Sequence, residues 1–221
     1  MNSVPNIQEE VAVILREFKG NTEKALEDFV NDTYGGNILE IVLRSHLYFE
    51  NALENILRGV LKHPEFILND RFTFSNKLSL VHSLGVIPDD FNSLIKYFNK
   101  NIRNKFAHNL KFEITEEHVN QLVNRFNKKV KEDYLVAYNI LENISFPAST
   151  LKKELICCTY AIWANIRMYH RNYALDPFQE EINLLDSLHE LGEKDQDDLL
   201  RFIEEREIKL LQKLKEFASN Y

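Results

Sequence analysis

The spacing of apolar residues constrains this chain most, because it keeps a helical period along most of its length. In one stretch they recur at three and four residues, the interval that lines one face of an α-helix; this set is Phe91, Leu94, Ile95, Phe98, Ile102 and Phe106. The alternating, β-branched pattern of strands is nearly absent. We therefore predict an all-α bundle of about eight or nine helices with no sheet.

Glycine, proline and capping residues mark where these helices begin and end. Asn37, Asp89, Thr115 and Asp176 stand where a side chain can accept a bond from the first turn. Asp176 is followed by Pro177, a residue that favours the first helical position. The predicted helices are Ile7–Lys19, Glu23–Asp32, Ile38–Lys62, Ser75–Leu84, Asp89–Ala107, Thr115–Asn143, Thr150–Arg171, one opened by Asp176-Pro177, and Asp195–Ala218.

Composition and length favour a globular protein with its own core. Apolar residues make up 44% of the 221 positions, yet no apolar run approaches the roughly 20 residues of a membrane span. We divide the chain into N-terminal helices (1–36), a helical core (37–145) and a C-terminal helical extension packed on that core (146–221). The first residues resemble no secretion signal, so we expect a cytoplasmic protein. The adjacent Cys157 and Cys158 are expected to be small core residues of a helix.

Charge is distributed unevenly along the chain. The net charge is −7, which taken alone argues against binding nucleic acid. Residues 91–131, however, hold nine basic residues and three acids, and Phe91–Phe112 holds five basic residues and no acid. Asp176–Glu207 is the opposite, with twelve acids against three basic residues. The basic segment is therefore the candidate surface for a polyanion.

The same basic segment contains the most informative motif, R-N-K-F-A-H at Arg103–His108. Asn104 and His108 are four residues apart, so a helix places them on one side, one turn apart. Arg103 lies about 100° around the helix from Asn104, but its side chain is long enough to bring the guanidinium beside the imidazole. These three side chains are the predicted polar cluster.

This trio suits cleavage of RNA without a metal ion or another cofactor. A histidine titrates near neutrality and can transfer protons to or from the 2′-hydroxyl and the leaving 5′-oxygen. A guanidinium binds phosphate through paired hydrogen bonds and stabilises the charge of the phosphorane. Asn104 would orient the phosphate or the ring. Nearby lysines would attract the RNA backbone whatever its sequence; these are Lys96, Lys100, Lys105 and Lys111.

Two alternatives remain open from the residues alone. The basic residues could simply complement the dipole at a helix C-terminus. On the long helix 38–62, the charged residues could form a solvated stripe with an attractive Glu54–Arg58 pair, or Arg44, His46 or Glu50 could face the same cleft as Arg103 and His108. A metal enzyme is disfavoured, because the seven histidines show no ligand spacing.

The segment Ile102–His108 resembles the Arg-polar-x3-His motif of HEPN domains, a superfamily of all-helical ribonuclease and nucleotide-binding modules. Before it, Lys77–Ile87 is similar to the K-L-x-L-x-x-x-L-G-x-I segment of the branch that includes the mannitol-operon repressor, itself thought to be a regulator with a decayed motif. The resemblance covers roughly residues 37–125. This chain keeps Arg, Asn and His.

The resemblance implies that Arg103 and His108 are the catalytic pair and Asn104 their polar partner. It also implies a homodimer in which two motif helices face each other around one RNA cleft. We therefore hypothesise an endoribonuclease of a toxin–antitoxin or antiphage (antiviral) system, with an antitoxin or regulatory protein as a further partner. The alternative is a non-catalytic regulator that binds a partner through the same face. Neither hypothesis involves a membrane.

Overall fold

The computed structural model describes residue 13 and residues 22–34, 37–109, 111–192 and 197–219. These residues form helices and the turns that connect them, with no strand among them, which confirms the predicted all-α fold class. A 3₁₀ turn occupies Pro64–Phe66 and a π turn occupies Asn99–Arg103. In chain order the helices are α1 (Thr22–Thr33), α2 (Ile38–Val60), α3 (Phe74–Ser83), α4 (Asp89–Phe98), α5 (Asn104–His108), α6 (Glu116–Val123), α7 (Lys128–Asn143), α8 (Thr150–Gly192) and α9 (Asp197–Ser219).

Helix α2 packs from several sides within a compact unit that runs from Glu23 to Arg171. Phe49 meets Phe98 of α4 edge-on, with ring centroids 5.1 Å apart. Tyr48 meets Phe29 of α1 at 5.0 Å and Trp163 of α8 at 5.3 Å. Apolar residues spread around a helix predict such contacts on more than one side. The buried residues of α2 are Ile41, Val42, Ser45, His46, Phe49, Ala52, Leu53, Ile56 and Leu57.

Local capping chemistry determines several helix ends as predicted. The side chain of Asn37 accepts a hydrogen bond of 2.9 Å from the backbone N–H of Glu40 at the start of α2. At the start of α6, the backbone N–H of Thr115 donates to Nδ1 of His118 at 3.2 Å. Gly85 follows α3 with φ at +76°, a left-handed conformation that glycine adopts without strain.

Two predicted boundaries in the middle of the chain are wrong. Asp89 is the first residue of α4 rather than its cap, and its carboxylate instead lies 2.7 Å from Nε2 of His82. The single helix expected over 115–143 is two helices, α6 and α7. Asn127 divides them, because its side chain accepts a bond from the backbone N–H of Val130 and so starts a new helix.

The predicted helix start at Asp176-Pro177 is also wrong, because α8 continues through it to Gly192. A proline inside a helix removes one backbone hydrogen bond and crowds the carbonyl four residues earlier. Around it, Leu175, Phe178 and Ile182 pack against a buried apolar cluster formed by Leu185, Ile203, Leu210 and Leu211. Burial of these side chains offsets the cost of the proline.

That cluster is the core of a second compact unit, which includes residues 172–192 and 197–219. The first unit, 23–171, contains α1 and the first half of α8 together with the expected core. The domain division at residues 36 and 145 stays a prediction. The predicted helix 7–19 lies outside the described residues except for Val13, which is helical.

Cys157 and Cys158 are buried and unpaired on α8, as expected for small core residues. Burial raises the pKa of the Cys157 thiol to about 12 and raises the pKa of the Cys158 thiol as well. Both side chains are therefore neutral at physiological pH. In the described residues, no helix is long and apolar enough to cross a membrane.

Candidate functional site

The helix expected over 89–107 is interrupted by a π turn at Asn99–Arg103, which ends on the first residue of the R-N-K-F-A-H motif. The backbone N–H of Asn104 bonds to the carbonyl of Asn99, five residues earlier, instead of the usual four. Such wide turns are rare and occur frequently at functional sites. The interruption therefore falls at the position where the sequence indicates chemistry.

The π turn keeps most of the predicted apolar face buried but changes its end. Phe91, Leu94, Ile95, Phe98 and Ile102 are buried as predicted. Phe106 is only half-buried, and its ring meets Phe112 edge-on at 5.0 Å. The extra residue in the wide turn changes the register of the segment that follows it, so a straight α-helical period does not describe both halves.

Arg103 and Asn104 are brought together, as the polar cluster requires. Nη1 of Arg103 donates a hydrogen bond of 2.9 Å to Oδ1 of Asn104. The Nε of Arg103 is buried and has no hydrogen-bond partner. The guanidinium is thus held at one end by an amide oxygen while other N–H groups remain available for an anion.

His108 is not joined to this pair. It is the last residue of α5 and is exposed to solvent. Among the residues that the structure describes, none forms a hydrogen bond or ion pair with its ring. The three motif residues therefore share one short helical segment, but among the described residues only Arg103 and Asn104 are hydrogen-bonded to each other.

The four lysines predicted to bind RNA lie on or beside this segment and are all exposed; they are Lys96, Lys100, Lys105 and Lys111. None of them forms an ion pair with an acidic residue of the described ranges. The ammonium group of Lys105 lies 5.4 Å from the centre of the Phe112 ring. Four positive charges without acidic partners are available to a polyanion here.

Helix α2 contributes a second set of polar residues, whose place in the same cleft as Arg103 and His108 stays a prediction. The charges of Arg103 and Glu50 both act on the pKa of His46, so both groups lie within electrostatic range of its ring. Arg44 instead donates to the backbone carbonyl of Asp32 at 2.7 Å. Arg58 pairs with Glu54 at 2.6 Å, which confirms the predicted attraction.

His46 is buried, and the centroid of its ring lies 4.3 Å from the centroid of the Phe74 ring. Burial is the main reason that its pKa falls to about 4, and the positive charge of Arg103 lowers it further. The negative charge of Glu50 and the side chain of Asn99 act on this pKa in the opposite direction. His46 is therefore neutral at physiological pH.

Sequence reasoning missed two polar residues that interact with α2 near this site, Asn99 and Lys77. Asn99 was overlooked because a π turn has no signature in local sequence. Lys77 was read only as part of the K-L-x-L segment; it is buried, and its ammonium donates to Glu50 and Glu54 at 2.9 Å each. Burial lowers the pKa of Lys77, but these two hydrogen bonds outweigh that effect and raise it.

No group of three or more His, Cys, Asp or Glu side chains in the described ranges could hold a metal ion. Comparison of the chain with protein-family models, with curated proteins and with solved structures finds no match.

Proposed function

We propose that this chain is a metal-independent endoribonuclease of the HEPN type, used as a toxin or antiphage-defence effector. The observation that carries this proposal is the guanidinium of Arg103, bound to Asn104 at a π turn and followed by the exposed His108. The exposed lysines of the same segment supply attraction to a phosphate backbone.

The proposed reaction needs only proton transfer and charge stabilisation. The 2′-hydroxyl oxygen attacks the adjacent phosphorus and loses its proton, while the bond from phosphorus to the 5′-oxygen breaks and that oxygen gains a proton. The products are a 2′,3′-cyclic phosphate and a 5′-hydroxyl. His108 transfers protons, and Arg103 stabilises the negative charge on the phosphorane.

We further propose that two copies of the chain form one site. His108 has no partner among the described residues that would orient its ring, and a proton-transfer group needs a defined position. A homodimer with facing motif helices would supply neighbours and a second basic surface around the RNA strand. Light scattering at tens of micromolar should give twice the mass of one chain, and a monomer would contradict this arrangement.

The decisive experiment incubates the purified protein with total RNA in EDTA beside the His108→Ala variant. Native protein should cleave the RNA and leave ends that carry 2′,3′-cyclic phosphate and 5′-hydroxyl groups. His108→Ala should be slower by at least ~10²-fold because it lacks the proton-transfer group. His63→Ala, which removes another exposed histidine, should cleave as the native protein does.

A second function is favoured by the isolation of His108 from Arg103 and Asn104. A non-catalytic regulator would need the basic surface and the bound guanidinium but no oriented imidazole. RNA that stays intact from about pH 6 to about pH 8, with and without divalent metals, would favour this function. In that case His108→Ala should bind RNA or a partner protein as tightly as the native chain.

A further inference from the structure

Three rings meet where the R-N-K-F-A-H motif ends, on residues to which the proposed reaction gives no role. The ring of Phe112 meets Phe106 of α5 edge-on at 5.0 Å and His118 of α6 edge-on at 5.2 Å. The ammonium group of Lys105 lies over the Phe112 ring, 5.4 Å from its centre. We call Phe106, Phe112 and His118 the aromatic cluster.

The aromatic cluster lies at the surface rather than in the core. Phe49 and Phe98 meet in the same edge-on manner at 5.1 Å, and both of those rings are completely buried. The three rings of the aromatic cluster are each only half-buried. Because Lys105 is itself exposed, the face of Phe112 that it covers borders solvent. A lysine side chain is flexible and can leave the ring when another group arrives.

Local hydrogen bonds hold these rings in place. The backbone N–H of Phe112 donates to the carbonyl of Asn109 at 3.0 Å. The backbone N–H of Thr115 donates to Nδ1 of His118 at 3.2 Å, and the Thr115 hydroxyl lies 2.9 Å from the same nitrogen. A site that is already ordered loses less conformational entropy when a ligand binds.

The aromatic cluster adjoins the group that transfers protons in the proposed reaction. Lys105 and His108 are three residues apart on α5, so they lie on one side of that helix. Phe112 contacts Lys105 and also Phe106 of the motif. A group that binds at Phe112 is therefore bound against the short helix that ends at His108.

We propose that the face of Phe112 binds one unpaired base of the RNA strand by stacking, while Lys105 leaves the ring and binds a phosphate of the same strand. Every base has a π face, so stacking tolerates any sequence. The face of a phenyl ring is negative and does not attract phosphate, which assigns the base and not the backbone to the ring. A duplex keeps its bases stacked on one another, so this site selects single-stranded RNA. The inference rests on the proposed function for its ligand.

Binding of a non-cleavable RNA tests the site separately from the reaction. A single-stranded oligonucleotide with 2′-O-methyl sugars lacks the attacking hydroxyl, so fluorescence anisotropy measures its affinity without cleavage. Phe112→Leu keeps an apolar side chain but has no ring, so Kd should rise by about ten-fold. The salt dependence should stay the same, because no charge is removed. Phe66→Leu is the matched control and should bind as the native protein does, because Phe66 is an exposed phenylalanine that also meets a histidine, His63, at 6.0 Å.

A second variant gives a direct signal from the ring position and covers the case in which Phe112→Leu does not fold, which circular dichroism checks. Phe112→Trp keeps an aromatic face, so it should bind as tightly as the native protein, and the oligonucleotide should quench its indole fluorescence. The native protein, whose only tryptophan is Trp163, gives the background. Native affinity in folded Phe112→Leu, or quenching in Phe112→Trp no greater than the background, would overturn the proposal. An equal loss of affinity for a duplex of the same length would also overturn it.

Cleavage of ordinary single-stranded RNA separates this inference from the proposed function. Phe112→Leu should raise KM by about ten-fold with a smaller change in the rate of the saturated complex, since stacking stabilises substrate and transition state alike. Native protein that binds the non-cleavable strand through Phe112 but leaves ordinary RNA intact would refute the nuclease and keep the stacking site. Cleavage with an unchanged KM in Phe112→Leu would refute the stacking site and keep the nuclease. Native protein that binds no RNA would overturn both.

Discussion

Lys77 is a buried residue that interacts with two carboxylates of α2. Its ammonium group bonds to carboxylates one helical turn apart, Glu50 and Glu54, and Glu54 also accepts from Arg58. The hydrogen bonds from Lys77 and Arg58 lower the pKa of Glu54. The negative charge of Glu50 also raises the pKa of His46, which the charge of Arg103 lowers. Lys77 of α3 therefore interacts with a carboxylate that acts on the same histidine as Arg103.

Replacing Lys77 by methionine should destabilise the protein although methionine fills similar space. Glu50 and Glu54 would lose a partner in a partly buried position, which costs about 2 kcal/mol of unfolding free energy. Urea unfolding measures this loss. Lys129→Met is the matched control, because Lys129 is half-exposed and lies 3.6 Å from Asp133. The control should change stability by about 0.5 kcal/mol or less, and an equal loss in both variants would contradict the prediction.

At the level of elements, helix ends that depend on one side chain are predictable, whereas interruptions that depend on packing are not. Asn37 is a cap because its amide reaches an N–H three residues on, and that relation is visible in the sequence. The π turn packs against α2, and the passage of α8 through Pro177 is stabilised by contacts with residues distant in sequence. The motif, and His46 as a candidate neighbour of Arg103, could therefore be proposed from sequence, but the π turn and Asn99 could not.

Deletion of Lys100 should remove the π turn by returning the segment to α-helical register. Lys100 is exposed, so the core loses no packed side chain and far-ultraviolet circular dichroism should stay the same. Arg103 would no longer face α2 in the same way, so RNA binding and cleavage should fall by on the order of ten-fold or more.

Lys100→Ala is the control for this deletion. It removes the same charge but keeps the residue count, so it should weaken RNA binding modestly and reduce the salt dependence by about one charge. A deletion variant that behaves like Lys100→Ala would show that the wide turn is not needed for binding.

Pro177 offers a test of the cost of a proline inside a helix. Pro177→Ala restores a backbone donor to the carbonyl of Tyr173, so it should stabilise the unit containing Leu185 and Ile203 by up to ~3 kcal/mol. Hydrogen exchange of the amides near residue 177 should slow. Asp176→Ala changes the adjacent residue but no backbone bond and should have little effect. Faster exchange in Pro177→Ala would mean that the proline itself is required for packing.

At the scale of the whole molecule, two histidines that are buried among the described residues contribute to how stability responds to mild acid. Burial is the main cause that lowers the pKa of His46 and of His170 from 6.5 to about 4. Between these two pKa values the unfolded chain therefore binds more protons than the folded one. The contribution of the neutral rings to the free energy of unfolding is thus fully present above about pH 6.5 and decreases as the pH falls toward 4. The carboxylate of Glu54, with its lowered pKa, loses its contribution only below about pH 4.5.

Urea unfolding at pH 7, 5.5 and 4.5 should consequently show a steady decrease in the midpoint. In His46→Gln the decrease between the first two values should be smaller, because one of the two titrating groups is gone. A midpoint that stays constant from pH 7 to 4.5 in the native protein would contradict the neutral, buried state of both rings.

The two cysteines can report how often the core of this protein opens to solvent. Cys157 and Cys158 are its only thiols, and both are enclosed by the core with their pKa values raised by burial. Only the thiolate reacts with alkylating reagents, so labelling has to wait until α8 separates from its neighbours. The rate of labelling in excess reagent thus reports how often the interior becomes accessible to solvent. A cysteine introduced at the surface would be modified long before either native thiol.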